Sequence, residues 1–403
     1  MTDTSGRVRP ARWALLVAFA VLVAATQVLW LSVAPVTTRA ADLLGVSQGA
    51  IGDVAVANPV LYVVLAVPVG RWADRRFTVA LTTGAVLTAA GAVLRTLNPT
   101  SYACVLAGQI VLSVGQPLVL NATTKVAARW FPARERTTAI AVGSAAQFVG
   151  ILVAATTAGA LLDAGGLRLL LGTYAALATA AAVAVVVALR IPPAFAADAG
   201  PAPSLRWLRH DRLLLLLAAL LFVGVGLFNA LATWLDPVLS DLGMPGEGGL
   251  LIATTTATGI VGAAVLPGLA ARHDQRRVVL LTTTVLAVVT FPLVAVLPDV
   301  RLVGVALAVL GFFLLAGLPI ALDWSELEAG PDRAATATGF LLLAGNLGGA
   351  VLVLAVQAVV ANPYLALGAF AVLAVPGVVA ASRLPAHAGS HVDHPPSEPV
   401  VAS

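Results

Sequence analysis

Twelve apolar stretches, each long enough to cross a bilayer, dominate this chain of 403 residues. A helix needs roughly 20 residues to traverse the hydrocarbon. Stretches of that length fall at 13–36, 50–70, 77–97, 101–127, 137–162 and 168–190, then at 212–236, 249–270, 277–297, 300–322, 334–360 and 363–382. Lipid offers no partner for a backbone N–H or C=O, so each stretch reads as a helix, here spans 1 to 12. Pro35, Pro68, Pro117, Pro267, Pro292 and Pro319 lie within them and are tolerable where membrane helices pack together. With 60% hydrophobic and 10% charged residues, the chain is excluded from the ordinary soluble domains.

The basic residues set a direction. If the N-terminus is cytoplasmic, 19 of the 23 Lys and Arg fall inside, and only Arg39, Arg95, Arg168 and Arg301 face outward. That bias is the positive-inside pattern. The expected topology is therefore multi-pass in the cell's inner membrane with both termini cytoplasmic. The basic pI is accounted for by topology and gives no case for nucleic acid. Cys104 is the single cysteine, which leaves no disulfide framework or cysteine metal site. The first apolar run is too long for a cleaved signal peptide and serves as span 1.

The chain also echoes itself. Pro68–Arg76 reads PVGRWADRR and Pro267–Arg277 reads PGLAARHDQRR, each between two apolar runs, with Asp74 and Asp274 separated by 200 positions. The expected fold is all-α integral membrane, with twelve transmembrane helices in two pseudo-symmetric six-helix bundles. Its parts are a tail (1–12), a first bundle (13–190), a Pro/Ala-rich linker (191–211), a second bundle (212–382) and a polar tail (383–403). Repeats of this kind place a substrate site at their interface. His387, His391 and His394 in that tail could touch a metal, but a disordered tail is the plainer reading.

Gly70, Asp74 and Arg75 match the Gly-x-x-x-Asp-Arg-x-Gly-Arg loop of the major facilitator superfamily, with Phe77 where the second Gly is usual. The resemblance implies alternating access. In it Gly70, Asp74, Arg75, Arg76, Asp274 and Arg276 would brace the cytoplasmic side of the outward-open state. Asp323, Glu326 and Glu328 near the end of span 10 either pair with these arginines or form a solvated cluster.

Polar residues inside spans point to the bundle interior. Trp30 in span 1 is either an indole packed between helices or a ring face offered to a cation. Asn58, Pro59 and Tyr62 lie in span 2, Gln116 and Asn121 in span 4, Gln147 in span 5, Asn229 in span 7 and Asn346 in span 11. Asn58-Pro59 could equally serve a bend, and Gly345, Gly348 and Gly349 could serve only close helix packing. Lys125, the only lysine, reads as an anchor at the cytoplasmic end. Trp13, Trp72, Trp130, Trp207 and Trp324 are assigned to the cytoplasmic aromatic belt, and Trp234 to the outer one.

The run from Gln116 to Gly150, containing QP and AARWFPARER, is similar to the feline leukaemia virus subgroup C receptor-related branch of that superfamily. Trp30 with Gly45, Val46 and Ile51 keeps the branch's spacing, while Leu29 and Asp53 replace its Gln and second Trp. The branch includes choline and ethanolamine carriers, some first described as haem exporters. It implies a cage made by the span 1 Trp and a span 7 Tyr, at whose place Asn229 stands, and a cavity residue at Asn346.

No convincing ionisable group is expected deep in the spans, Asp53 and Asp236 lying toward the outer rim. The expectation is therefore a transporter, not an enzyme, working as a monomer in the bilayer without a cofactor or metal. Trp30, Tyr62, Gln116, Gln147, Asn229 and Asn346 would contact a small organic solute, best an amine or quaternary ammonium metabolite such as choline. The alternative is a proton-coupled efflux antiporter using Asp53 or Asp236. Haem is disfavoured because no histidine lies in a span to serve as an axial ligand.

Overall fold

A computed structural model describes residues 5–195, 207, 210–297, 299–329 and 334–386, with the side chains of 5–10, 74, 133, 134, 137, 334 and 335 left aside. Among the described residues there is no strand. The first half contains α1 (Ser5–Trp30), α2 (Thr37–Leu44), α3 (Gln48–Arg75), α4 (Phe77–Leu97), α5 (Tyr102–Leu120), α6 (Ala122–Trp130) and α7 (Ala133–Ala188). The second contains α8 (Arg212–Asp241), α9 (Gly248–Arg272), α10 (Arg276–Val296), α11 (Val300–Leu314), α12 (Gly317–Ala329), α13 (Ala334–Gln357) and α14 (Pro363–Ser382).

Eleven helical segments, rather than twelve, are long and apolar enough to cross a membrane among the described residues. The difference lies in α7, which joins the expected spans 5 and 6. Its ladder is interrupted at Gly165 and at Gly166, whose φ of 65° suits a residue without a Cβ. Thr157 and Tyr174 share a 2.8 Å hydroxyl–hydroxyl hydrogen bond. In a straight helix those residues would lie about 25 Å apart, so the two arms of α7 fold back on each other.

Three expected spans are interrupted instead. Span 1 stops at Trp30, passes through a 3-10 turn at Ala34–Val36 and resumes as α2. Pro35 in that turn has no N–H to continue the ladder. Span 4 divides at Asn121 and span 10 at Leu315 and Ala316, repeat-related positions 195 residues apart (316 − 121). Pro319 falls in the first turn of α12, where its missing donor costs nothing.

Within the first bundle α1 packs on α7, α4 on α5 and α3 on α5; in the second α8 packs on α13, α9 on α11 and α10 on α14. A Cβ at Gly348 would overlap the Phe222 carbonyl, so this glycine serves close packing of α13 on α8. The bundles meet through α3 with α13 and α8, α2 with α8, and α7 with α9.

Candidate functional site

The group expected to face substrate is organised by one side of α3. Trp30 at the end of α1 is 6% exposed, and its Nε1–H donates to the Ala55 carbonyl at 2.9 Å. Its indole N–H is thereby fixed to α3. One turn further along α3, Pro59 lies beside Gly349, where an added Cβ would be 3.5 Å from the Pro59 Cβ and would overlap the Asn229 amide. Trp30 and Asn229 therefore approach α3 within about one turn of each other, from opposite bundles. Tyr62 follows, its hydroxyl donating to Asn121 Oδ1 at 2.5 Å, at the interruption of span 4.

Gln116 is buried, and its amide is not among the enclosed polar atoms left without a partner. Gln147 is half-buried. Asn346 Nδ2 donates to the Leu342 carbonyl of its own helix at 2.9 Å. Among the described residues no hydrogen bond joins Gln147 or Asn346 to the group around α3.

Two ionisable side chains near the ends of their helices are buried. Arg95, assigned to the side opposite the cytoplasm, is 0% exposed. One Nη donates to the Leu29 carbonyl and to Gln109 Oε1, both at 3.1 Å, and the other to Ser32 Oγ at 2.5 Å. The end of α1 leaves carbonyls without intrahelical donors, and the long Arg95 side chain folds inward to supply them. Asp236 also lies inside, at 3% exposure, accepting from the Thr38 N–H at 3.0 Å. Both stand near the ends of their helices, Arg95 two residues from Leu97 and Asp236 five from Asp241.

The arginine extends into a network that sequence reading missed. Gln109 Nε2 donates to Asn58 Oδ1 at 3.2 Å, and Ser113 Oγ donates to the same oxygen. Asn58 Nδ2 and Arg95 Nε have no hydrogen-bond partner among the described residues. The available signal was the Gln109–Ser113 spacing of one helical turn on α5. Asn58 thus takes part in a polar cluster as well as preceding Pro59.

The tryptophans are corrected too. Trp234 is fully buried, donating Nε1–H to the Val353 carbonyl at 2.9 Å, and a Cβ at Gly52 would overlap its ring. It fills the boundary between bundles and is no part of an outer belt, because this end of α8 faces protein instead of lipid. Trp130 and Trp324 are likewise buried at 2%, with Trp130 bonded to the Ile191 carbonyl.

At the end rich in basic residues, Arg276 sits between two acids of its own half. Its Nη atoms lie 3.6 Å from Asp274 and 2.9 Å from Asp323, so the expected pairing of a span 10 acid with this cluster is present. Asp274 has a φ of 52°, the left-handed turn that Asp tolerates. Gly70 gives its carbonyl to Lys125 Nζ at 3.4 Å, and Arg75 and Arg76 are exposed. Asp74 lies in the last turn of α3, but its side chain lies outside the described residues, as do His387, His391 and His394. No cluster of metal-ligating side chains occurs among the described residues.

The opposite end holds the bundles together. Besides the Asp236–Thr38 bond, Gln357 Nε2 donates to the Gly49 carbonyl at 3.1 Å and to Asp53 Oδ1 at 3.0 Å. Gln357 was not singled out in sequence, where nothing distinguishes it from other amides at span ends.

Residues 9–353 match the model of the Major Facilitator Superfamily. Solute carrier family 49 member A3 of Danio rerio is 27% identical over 371 residues, covering 86% of this chain and 78% of that protein. Human choline/ethanolamine transporter FLVCR2 is 22% identical over 384 residues, covering 87% and 72%. Among solved structures, a bacterial homologue of the human lysosomal transporter Spinster, inward-facing and unoccupied, superposes with a TM-score of 0.72. It is 16% identical and covers 93% of this chain and 94% of that one, a likeness of fold.

Proposed function

The chain belongs to the major facilitator superfamily, and from that premise we propose that it carries a small organic amine across the membrane by alternating access. The amine is of the choline or ethanolamine kind. The bundles rock about the level of α3 that holds Ala55, Pro59 and Tyr62. The carrying observation is that Trp30, at an interrupted span, stands level with Asn229 of the other bundle. An interrupted helix at a repeat interface is where carriers of this architecture place substrate. Similarity to choline/ethanolamine transporters supports the substrate class.

The indole N–H is committed to Ala55, which leaves the ring face as the means of contact. A cation–π contact contributes about 0.5–2 kcal/mol, enough to orient an ammonium group. Asn229 and Gln116 would take the hydroxyl or amino end. Arg95 bears on the choice within the class. Its guanidinium clamps Leu29 and Ser32 on either side of Trp30, and a like charge disfavours a bare cation in a low-dielectric site. An amine that also carries an anionic or strongly accepting group fits this setting better than a fully methylated cation. The two carboxylates available to a proton-coupled antiporter, Asp53 and Asp236, are engaged in bonds between bundles.

A thermal-shift screen of the purified chain with choline, ethanolamine, zwitterionic amines, nucleosides and amino acids tests this reading. Amines should raise the midpoint, Trp30→Phe should retain part of the shift and Trp30→Ala should lose it. A shift from another solute class alone, intact in Trp30→Ala, would sink the amine assignment.

A further inference from the structure

Pro59, in the middle of α3, has no N–H, so it cannot bond the carbonyl four residues back, and its ring pushes that carbonyl out of line. That carbonyl belongs to Ala55, and it is the one that accepts the Trp30 indole N–H at 2.9 Å. Inside a bilayer, a carbonyl freed in this way has to be paired from a neighbouring helix. Here α1 supplies the donor. The end of α1 has the same need, and its Leu29 carbonyl is served by Arg95 and by Ser32 Oγ.

The turn that carries Pro59 is itself held. An arginine can only donate, so the Gln109 oxygen faces Arg95, and Gln109 Nε2 is left for Asn58 Oδ1, which Ser113 Oγ also reaches. The contacts close a ring. It runs from Trp30 to Ala55, one turn along α3 to Asn58, through Gln109 to Arg95, and back to Leu29 and Ser32 on either side of Trp30. Pro59 also borders the second bundle, its Cβ lying 3.5 Å from where a Cβ at Gly349 would stand.

We propose that Pro59 is a positioning residue for the carried solute. By withholding an N–H from the Ala55 carbonyl it fixes the Trp30 indole, and with it the height and tilt of the ring face that meets the ammonium group. Pro59 itself needs no contact with the solute. The inference rests on the contact at Trp30 in the proposed function. Any residue with an N–H at position 59 gives Ala55 its helical donor back. The carbonyl then returns to the ladder, and the indole loses the acceptor that holds it.

The test uses the full chain in lipid nanodiscs with isotopically labelled indole nitrogens, read by nuclear magnetic resonance. The Trp30 indole N–H resonance is the one absent from Trp30→Phe. Pro59→Ala should move that resonance upfield, as a weakened hydrogen bond does. It should also lower the affinity for choline or ethanolamine by about three- to tenfold, the weight of one neutral hydrogen bond. In the Trp30→Phe background, which has no indole N–H, the same substitution should cost little affinity, so the two changes are not additive. Pro59→Val restores the N–H while keeping more bulk beside Gly349, and it serves if the alanine variant does not fold. Pro68→Ala restores an N–H elsewhere in α3 and should leave the Trp30 resonance in place. An unmoved resonance in both Pro59 variants would overturn the positioning role, and so would an equal loss of affinity with and without the indole. If no amine binds the unaltered chain, the amine reading fails by itself, and the resonance alone decides whether Pro59 fixes the indole.

Discussion

Span 1 and span 7 occupy equivalent places in the two halves, carry a proline at nearly the same position, and fold differently. Pro35 sits in an open interruption between α1 and α2, whereas Pro237 lies inside the unbroken α8. The proline alone does not decide. What differs is the neighbour that could serve freed carbonyls. Arg95 on α4 reaches into the end of α1. The repeat-related position on α10, counted from the helix starts (95 − 77 + 276), is Val294, buried at 1%. A side chain without donors cannot support exposed carbonyls in a bilayer, so span 7 keeps its ladder. One bundle thereby has a divided span, and the other contributes an unbroken helix bearing Trp234 and Asp236.

The strongest way to break this comparison is Arg95→Met. Gln109 Oε1 and Ser32 Oγ would lose their donor, while the Leu29 carbonyl keeps that of Ser32 Oγ, and leaving buried acceptors unsatisfied costs about 1–3 kcal/mol each. We expect a clear drop in the thermal unfolding midpoint in detergent, with Arg95→Lys recovering part of it. A stabilised methionine variant would show that burying the guanidinium costs more than its hydrogen bonds return, and the interruption would need another support.

Gly52→Ala addresses the unbroken helix. Its Cβ would run into the Trp234 ring, and overpacking of this kind costs about 1–3 kcal/mol. The expected readout is faster maleimide labelling, from the side opposite the basic face, of a cysteine placed at Gly49. Equal labelling rates would mean that Trp234 yields without opening the boundary. Smallest of all should be Pro35→Ala. If Arg95 holds the interruption open, the restored N–H closes no ladder and the loss of buried ring atoms at Pro35 costs about 1 kcal/mol, read from the same unfolding midpoint. A gain instead would show that the proline, rather than the arginine, keeps span 1 divided.

Hydropathy and the loop-like motif at Gly70 to Arg75, which the structure places in the last turns of α3, were sufficient for the membrane-spanning all-α fold and the family. These follow from local quantities: how long an apolar run lasts and how often a pattern returns. Which way a side chain turns was not legible. Arg95 stands two residues from the end of α4 and reads only as a charge at the outer end of a span; the neighbouring end of α1, with carbonyls in need of donors, gives it a buried seat. Trp234 near a span end reads as an interfacial ring, but the opposing Gly52 gives it a seat inside protein. Asp236 was legible as a rim acid, and its partner Thr38, 198 positions away, was not. Hydropathy measures what a segment can be immersed in, whereas burial of a charge or an indole depends on a partner that only the packed bundles bring within reach.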